Sequence, residues 1–411
     1  MRPSTPLYLS KPGLICCAGP SLEAFLCAAL LKNTRGIAPS TLCLGNKTYP
    51  FLIGRATPSA QGPSRLLSLC ATALQPLLPI VQKALQRYGP QNLGLCLGSC
   101  DNGTEASTPA HQAFFLNGTF PPGYALPLQS AARPAEFAAQ LLGLKGPVLA
   151  LATACASSAS AIIRAAQLVA SGVCAAVVAG GVDIASEVAL LGFSALEAVS
   201  PELCNPFSKN RKGINLGEGA AFFLLSRERL EEEGEGVVLA GFGESADAHH
   251  MTAPHPQGLG AAAAMQAALL HAGIAPGEIG YVNLHGTGTL LNDEAEAKAM
   301  YAIFGDKQPP ASATKPITGH TLGAAGALEL ALCWGVLQGD RTQVGVPSLP
   351  PPMPALPPHC WDGAYDTSLP PLRFVQAEGV ESPQALQYCM SNAFAFGGCN
   401  TSLILRRGGG P

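Results

Sequence analysis

Three turns in this 411-residue chain each set one reactive side chain among small residues or glycines. They are Thr153-Ala-Cys155-Ala-Ser-Ser158, Asn283-Leu-His285-Gly-Thr-Gly-Thr289 and Thr314-Lys315-Pro-Ile-Thr-Gly-His320-Thr-Leu-Gly-Ala-Ala-Gly326. A cysteine thiolate can attack a carbonyl and carry an acyl group, and neutral imidazoles can take or donate the protons that such a transfer moves. Cys155 alone reads first as a buried structural cysteine, because free cysteine is among the most buried residue types. A single histidine is likewise more often structural or superficial. A cysteine and two histidines, each in a turn of the same design, point instead to one shared active site.

The elements that must position these turns follow from local pattern. Pro147-Val-Leu-Ala-Leu is a short apolar strand, and a helix is expected from about Ala156 to Ala170, closed by Ser171-Gly172. Cys155 then stands at a strand-to-helix elbow, where backbone N–H groups and the helix dipole favour thiolate over thiol. Leu93-Gly-Leu-Cys-Leu-Gly, Ala175 to Gly180, Phe222 to Leu225, Val237 to Gly243, Tyr281 to Leu284 and Thr401 to Leu405 read as further apolar strands. Helices are expected over Ser21 to Lys32, Ser64 to Arg87 with breaks near Pro76 and Pro79, Ala135 to Leu142, Arg227 to Glu233, Ala261 to Gly273 and Leu322 to Gln338. Apolar strands alternating with helices imply a mostly parallel sheet covered on both faces, with the active site at strand ends. Residues 104–132 read as irregular, and 347–358 as a polyproline-like surface connection. The charged run Glu231-Glu-Glu-Gly-Glu-Gly236 divides the chain into expected halves at 1–234 and 235–411.

Composition narrows the class. Charged residues are 12% and apolar ones 48%, with 46 glycines, so close packing of small residues is expected rather than membrane burial. A net charge of -3 gives no electrostatic case for nucleic acid. The fourteen cysteines show no repeated CxxC and sit mostly in apolar runs, which fits a reducing compartment without structural zinc. Met1 to Pro6 starts no signal-peptide pattern and the Gly146–Ile163 stretch makes a poor membrane span, so a cytoplasmic protein is expected.

In order and spacing, these motifs resemble the β-ketoacyl-acyl-carrier-protein synthases of the thiolase-like superfamily. The resemblance rests on Ala-Cys155-Ala-Ser-Ser, Asn205-Pro-Phe-Ser-Lys-Asn-Arg211-Lys-Gly-Ile-Asn-Leu-Gly-Glu-Gly-Ala220, His285-Gly-Thr-Gly-Thr, Asp293-Glu-Ala-Glu296, Thr314-Lys315-Pro, Gly319-His320 with Gly323-Ala-Ala-Gly326, and Asn392-Ala-Phe-Ala-Phe396-Gly-Gly. It implies a five-layered α/β/α/β/α fold of two pseudo-repeated halves. It implies that Cys155 is acylated, that the backbone N–H groups of Cys155 and Phe396 hold the oxyanion, and that His285 and His320 stabilise the enolate left by decarboxylation of a malonyl thioester. Lys315 and Glu329 match the family's supporting ion pair, Thr287 and Thr289 the residues on the phosphopantetheine arm, and Phe396 with Gly397 and Gly398 a movable gate. Arg211, with Arg65 as a weaker match, is expected to meet the acidic acyl carrier protein.

No bound cofactor or metal is implied, because the substrates ride on the carrier's 4'-phosphopantetheine. A dimer is expected, with an identical or a non-identical ketosynthase-like chain. Cys155 with two histidines marks an elongating synthase. A thiolase would need a second catalytic cysteine ahead of the glycine pair, and Cys399 follows it; an inactive chain-length-factor subunit would lack Cys155. Asn205-Pro-Phe-Ser208 and Arg211-Lys-Gly depart from the usual acidic pattern, and residues 1–60 match poorly. These departures direct the expectation toward a specialised polyketide or polyene pathway.

Overall fold

A computed structural model describes residues 6–44, 47–231, 236–338, 356–376 and 386–408. The first half runs β1 (Tyr8–Leu9), β2 (Gly13–Cys16), α1 (Leu22–Leu30), β3 (Ile37–Leu44), β4 (Lys47–Gly54), α2 (Arg65–Leu74), α3 (Leu78–Tyr88) and β5 (Leu93–Gly98). It continues through α4 (Thr104–Asn117), α5 (Arg133–Leu142), β6 (Val148–Leu151), α6 (Ser157–Ala170), β7 (Ala176–Asp183), α7 (Glu187–Ala195), β8 (Leu216–Gly217) and β9 (Gly219–Ser226). The second half runs β10 (Val237–Ala246), α8 (Leu259–Ala272), β11 (Ile279–Asn283), α9 (Leu290–Phe304), β12 (Ala311–Ser312), α10 (Lys315–Thr318), α11 (Ala325–Leu337), β13 (Tyr388–Phe394) and β14 (Cys399–Arg407).

The two halves repeat one topology. In the first, the strand order is β6-β5-β7-β9 with β2 on β9, and in the second it is β12-β11-β13-β14-β10. Relabelled by order within each half, both read 3-2-4-5-1. In both, the first three neighbours are parallel and the last two pairings antiparallel. The short β1 joins them, pairing with β9 on one side and β10 on the other. One apolar core holds α6 and α11 between the two sheet halves, a second lies under α2, α3 and α5, and a third under α8 and α9. The result is the five-layered α/β/α/β/α arrangement expected from the resemblance. The proposed boundary at residue 234 falls outside the described residues.

Small residues let the two central helices meet. A Cβ on Gly326 of α11 would stand 2.9 Å from the Cβ of Ala159 on α6, closer than carbon atoms pack. Ser158 Oγ accepts the Ala327 N–H at 2.9 Å across the same contact. Both helices enter through the same strained elbow: Ala154, just before Cys155, has φ +48, and Leu322, two residues after His320, has φ +50. Each left-handed non-glycine residue costs on the order of 1–2 kcal/mol, which the surrounding packing must offset.

Three expectations need correction. The large sheet is not mostly parallel: among the described residues four of its pairings are parallel and six antiparallel. Residues 104–132 are not irregular throughout, because α4 occupies Thr104–Asn117. Its signals were hidden: Pro109 lies inside it, glycines flank both ends, and Phe114-Phe115-Leu116 runs consecutively rather than with helical period. Its start is held by Asp101 Oδ2, which accepts the N–H groups of Gly103 and Thr104. The charged run from Arg227 forms no helix as far as Glu231; Glu228 instead meets Arg87 and Tyr88, and Glu231 accepts the Lys11 N–H at 2.6 Å. The hairpin of β3 and β4, with β8 alongside, forms a separate three-stranded sheet that the sequence did not disclose. Of the polyproline-like segment, 347–355 lies outside the described residues.

One stretch among the described residues, Arg65–Tyr88, is long and apolar enough to cross a membrane by length and composition. It is broken between α2 and α3 and contributes Leu66, Leu69, Leu74, Leu77 and Val81 to the core of the first half.

Candidate active site

The three turns converge. Nε2 of His320 lies 2.9 Å from Sγ of Cys155. The rings of His285 and His320 stand edge to face with centroids 5.6 Å apart. Lys315 Nζ donates to His285 Nδ1 at 3.3 Å, to the His285 carbonyl, and to Glu329 Oε1 at 2.6 Å. All five side chains are buried.

Burial decides their charge states. The Cys155 thiol is pushed up to about 11 by desolvation, against the opposing pull of Lys315 and of the Phe396 and Cys155 backbone N–H groups. This corrects the sequence expectation of a resting thiolate: the start of α6 is too dry for its dipole to prevail. Both histidines are held well below their ordinary range, first by desolvation and then by the charge of Lys315, so both are neutral. Desolvation raises Glu329 to about 6 in spite of its lysine partner.

The remaining expected residues fall in different places. The backbone N–H of Phe396 faces the sulfur of Cys155, and its ring lies 5.6 Å from that of Phe193 on α7. Gly397 and Gly398 follow with φ +83 and +75, a conformation glycine adopts without strain. Their loop is tied to the segment after β10 by Gly397 N–H to Met251 O and Asp247 N–H to Gly398 O, each 2.8 Å. The hydroxyls of Thr287 and Thr289 lie 2.9 Å apart in the turn after His285, the first buried and the second half-buried. Cys399 opens β14 beside Ser160 and Thr153.

Arg211 does not meet the expectation of a carrier-facing cation. Its side chain is 4% exposed, with Nη1 held by Asp366 at 2.5 Å and by the Ser208 carbonyl at 2.9 Å. Arg65 is more open, but Glu218, itself fully buried, binds its Nε and Nη2 and also takes Arg55 at 2.9 Å. Arg211→Met is therefore expected to lower stability by about 1–2 kcal/mol, because Asp366 loses its cation and keeps only Ser368. Urea unfolding measures this; a raised carrier-protein KM at unchanged stability would restore the surface role.

Four positioning groups were missed or given no role. Glu296 Oε1 and Oε2 accept the N–H groups of His285 and Gly286 at 2.8 Å, and Asp293 accepts those of Phe207 at 2.6 Å and Gly288 at 3.0 Å. Their three-residue spacing on α9 places both on the face under the histidine turn. Asp183, at the end of β7, accepts from Ser99 Oγ and from the N–H groups of Cys100, Asp101 and Gly323, which ties the turn after β5 to the turn after His320. His359 is buried and stacked on Phe374 at 4.1 Å, with Nδ1 accepting from Ala313 N and Nε2 donating to Pro206 O. It braces the strand end that carries Lys315, and no local pattern in its proline-rich surroundings marks it.

Desolvation pushes His359 down to about 3. Between its ordinary value near 6.5 and 3, the unfolded chain binds a proton that the folded chain refuses, so stability is lost as pH falls through that window. The full window corresponds to about 5 kcal/mol. Unfolding titrations at pH 7 and pH 4 should show roughly 3 kcal/mol more acid loss for the native chain than for His359→Gln.

A buried cysteine on the elbow of one half, with two neutral histidines and a buried lysine from the other, is the layout of a thiolase-like acyl-transfer enzyme. Sequence and structure comparisons agree. The N-terminal domain of β-ketoacyl synthases matches residues 72–231, and the C-terminal domain matches 237–344. A 3-oxoacyl-[acyl-carrier-protein] synthase 2 from Vibrio cholerae is 35% identical over 329 residues, covering 77% of this chain and 76% of that protein. A ketosynthase from Xenorhabdus doucetiae, solved in complex with its chain length factor, superposes with a TM-score of 0.84 at 36% identity, covering 98% of each chain. A β-ketoacyl synthase from Burkholderia phymatum gives 0.78 at 27% identity, covering 98% of this chain and 99% of the other.

The chain belongs to the β-ketoacyl synthase family. It is an acyltransferase of the ketosynthase type, condensing thioesters in fatty-acid or polyketide chain elongation.

Proposed function

We propose that Cys155 accepts the acyl chain from the phosphopantetheine of an acyl carrier protein and that His285 and His320 then generate the carbanion from malonyl carrier protein. The observation that carries this reading is the 2.9 Å contact between His320 Nε2 and Cys155 Sγ inside a site where the thiol and both imidazoles are uncharged. Attack on the acyl thioester moves the thiol proton to Nε2. The oxyanion is met by the N–H groups of Cys155 and Phe396, and the pantetheine sulfur leaves with the proton.

In the second half-reaction the bond from the malonyl α-carbon to its carboxylate breaks and CO₂ departs. The enolate oxygen needs N–H donors. Lys315 Nζ, a donor with no lone pair, occupies the Nδ1 side of His285, so the ring's proton is on Nε2, whose position is buried and unpartnered. His320 has no such constraint, because its Nδ1 is buried without a partner. It presents a lone pair at Nε2 while the thiol is free and an N–H once sulfur is acylated. The carbanion attacks the acyl carbonyl, the carbon–sulfur bond breaks, the thiolate leaves with the charge that the malonyl carboxylate brought, and it takes a proton from water. Thr287 and Thr289 hold the pantetheine arm, and the Phe396-Gly397-Gly398 loop gates it.

We infer further that the chain works as a dimer with an identical or a second ketosynthase-like subunit, in the cytoplasm where carrier-bound substrates are made. β6 ends its sheet half, and Val148 and Leu149 on it are each 38% exposed, an apolar strand edge of the kind that recruits another chain. Leu149→Asp should convert the dimer to monomer in light scattering; an unchanged mass would exclude this edge. The catalytic reading is tested by intact-mass measurement after incubation with acyl carrier protein. An acyl adduct on Cys155 is expected, and its absence with every acyl chain offered would leave a silent partner subunit as the better description.

A further inference from the structure

Along one turn the chain passes from the buried cluster to the surface. His285 is 1% exposed and Thr287 3%, Thr289 is half-buried, and Leu290 and Leu291 at the start of α9 are 61% and 56% exposed. Leu203, 37% exposed, precedes Cys204, whose thiol donates to the Thr287 carbonyl at 3.2 Å. From another side Gly213 N–H donates to Gly288 O at 2.8 Å. Single surface leucines are ordinary, but three around one turn form an apolar patch of the kind that a partner covers.

The charges around this patch cancel. Arg211 Nη2 donates to the Leu290 carbonyl at 3.4 Å, yet Asp366 holds its Nη1. Lys212 is paired with Glu202 at 2.7 Å, and Lys298 with Glu294 at 2.7 Å. Lys209 lies in the segment whose Ser208, Asn210 and Arg211 side chains bind Asp362 and Asp366. These cations are therefore matched by as many carboxylates, and the rim offers an acidic surface little net attraction.

Resting on the ketosynthase reading, we propose that the acyl carrier protein docks on this rim by apolar contact, laying uncharged apolar side chains over Leu290, Leu291 and Leu203. Its pantetheine arm then passes Thr289 and Thr287 toward the histidines, so the surface beside that entry is the one the carrier covers. Docking through carboxylates would need cations that the rim does not leave free. The two modes differ in their response to salt. Attraction between exposed charges is screened as the Debye length falls from about 10 Å at 0.1 M to about 3 Å at 1 M. Burial of apolar surface is not weakened in that way.

The test measures acylation of Cys155 by octanoyl carrier protein and by octanoyl on free pantetheine. For the native chain, the KM of the carrier should change less than about twofold between 0.1 M and 1 M NaCl. In Leu290→Asp/Leu291→Asp that KM should rise about tenfold or more, with the free pantetheine thioester and the light-scattering mass unaffected. Leu203→Ser, which leaves α9 intact, should raise it about threefold and decides the matter if the double variant does not fold. A carrier KM that climbs tenfold with salt, or that neither substitution moves, overturns the apolar docking. Loss of the dimer mass in the variants assigns the leucines to a subunit contact and overturns it as well. Failure of the native chain to be acylated by either donor overturns the ketosynthase reading instead.

Discussion

Cys155→Ala is expected to abolish both acyl transfer from the carrier protein and condensation, while malonyl carrier protein continues to lose CO₂. The division follows from where the groups stand. In the proposed mechanism the sulfur holds the acyl chain, and it stands 2.9 Å from His320 Nε2. The donors proposed for the enolate lie on the other half of the molecule: His285 follows β11, and His320 precedes α11. Removing the sulfur leaves His285, Lys315 and Glu329 in contact and His320 free to present its N–H. Acyl-adduct mass and ¹⁴CO₂ release, measured on the same preparation, separate the two half-reactions. Retained condensation at the native rate would remove Cys155 from the mechanism. Decarboxylation lost together with acylation would mean that the histidines do not act independently of the thiol.

Lys315→Ala should have the largest combined effect on stability and chemistry. Lys315 is 1% exposed and sits among the His285 ring, the His285 carbonyl and the Glu329 carboxylate. Without it, Glu329 is left buried with neither oxygen paired, since Oε2 already lacks a partner. Breaking a buried ion pair from one side costs about 3–5 kcal/mol. The same change frees the His285 tautomer and removes the donor behind it, so decarboxylation should fall on the order of a hundredfold or more, as for other lost preorganised donors. Lys315→Met/Glu329→Leu distinguishes the two effects. Stability should recover because no charge remains buried, whereas decarboxylation should not, because the imidazole is still unconstrained. Recovery of both in the double variant would reduce the lysine to a structural role. The variants are compared by urea unfolding and CO₂ release.

The residues of the proposed mechanism were legible because they stand in turns with a compositional signature. Cys155, His285 and His320 each follow a strand-end pattern, with glycines or small residues that let the backbone turn sharply. The two-halved fold was legible for a similar reason: apolar strands buried on both faces alternate with helices along most of the chain. The misses have physical causes. Helix α4 carries a proline inside and exposes its aromatic run, so it lacks the buried stripe that announces a helix. The charged run at 227–231 looked helical, but its carboxylates engage Lys11, Arg87 and Tyr88 from distant parts of the chain. His359 is invisible locally because its partners, Ala313 and Pro206, are each more than forty residues away in sequence.

By itself the sequence determined which side chains could do the chemistry and in which turns they stand, because residue type and local backbone propensity are properties of short segments. It could not determine their charge states or their surroundings. Desolvation, which raises the Cys155 thiol to about 11 and keeps both histidines neutral, is a sum over every atom packed around the site. The same holds for Arg211, whose charge is spent internally on Asp366, a partner 155 positions away. Burial and pairing across the chain exist only once the two halves have closed on α6 and α11, and they set a cysteine between small residues into a dry site beside two neutral imidazoles.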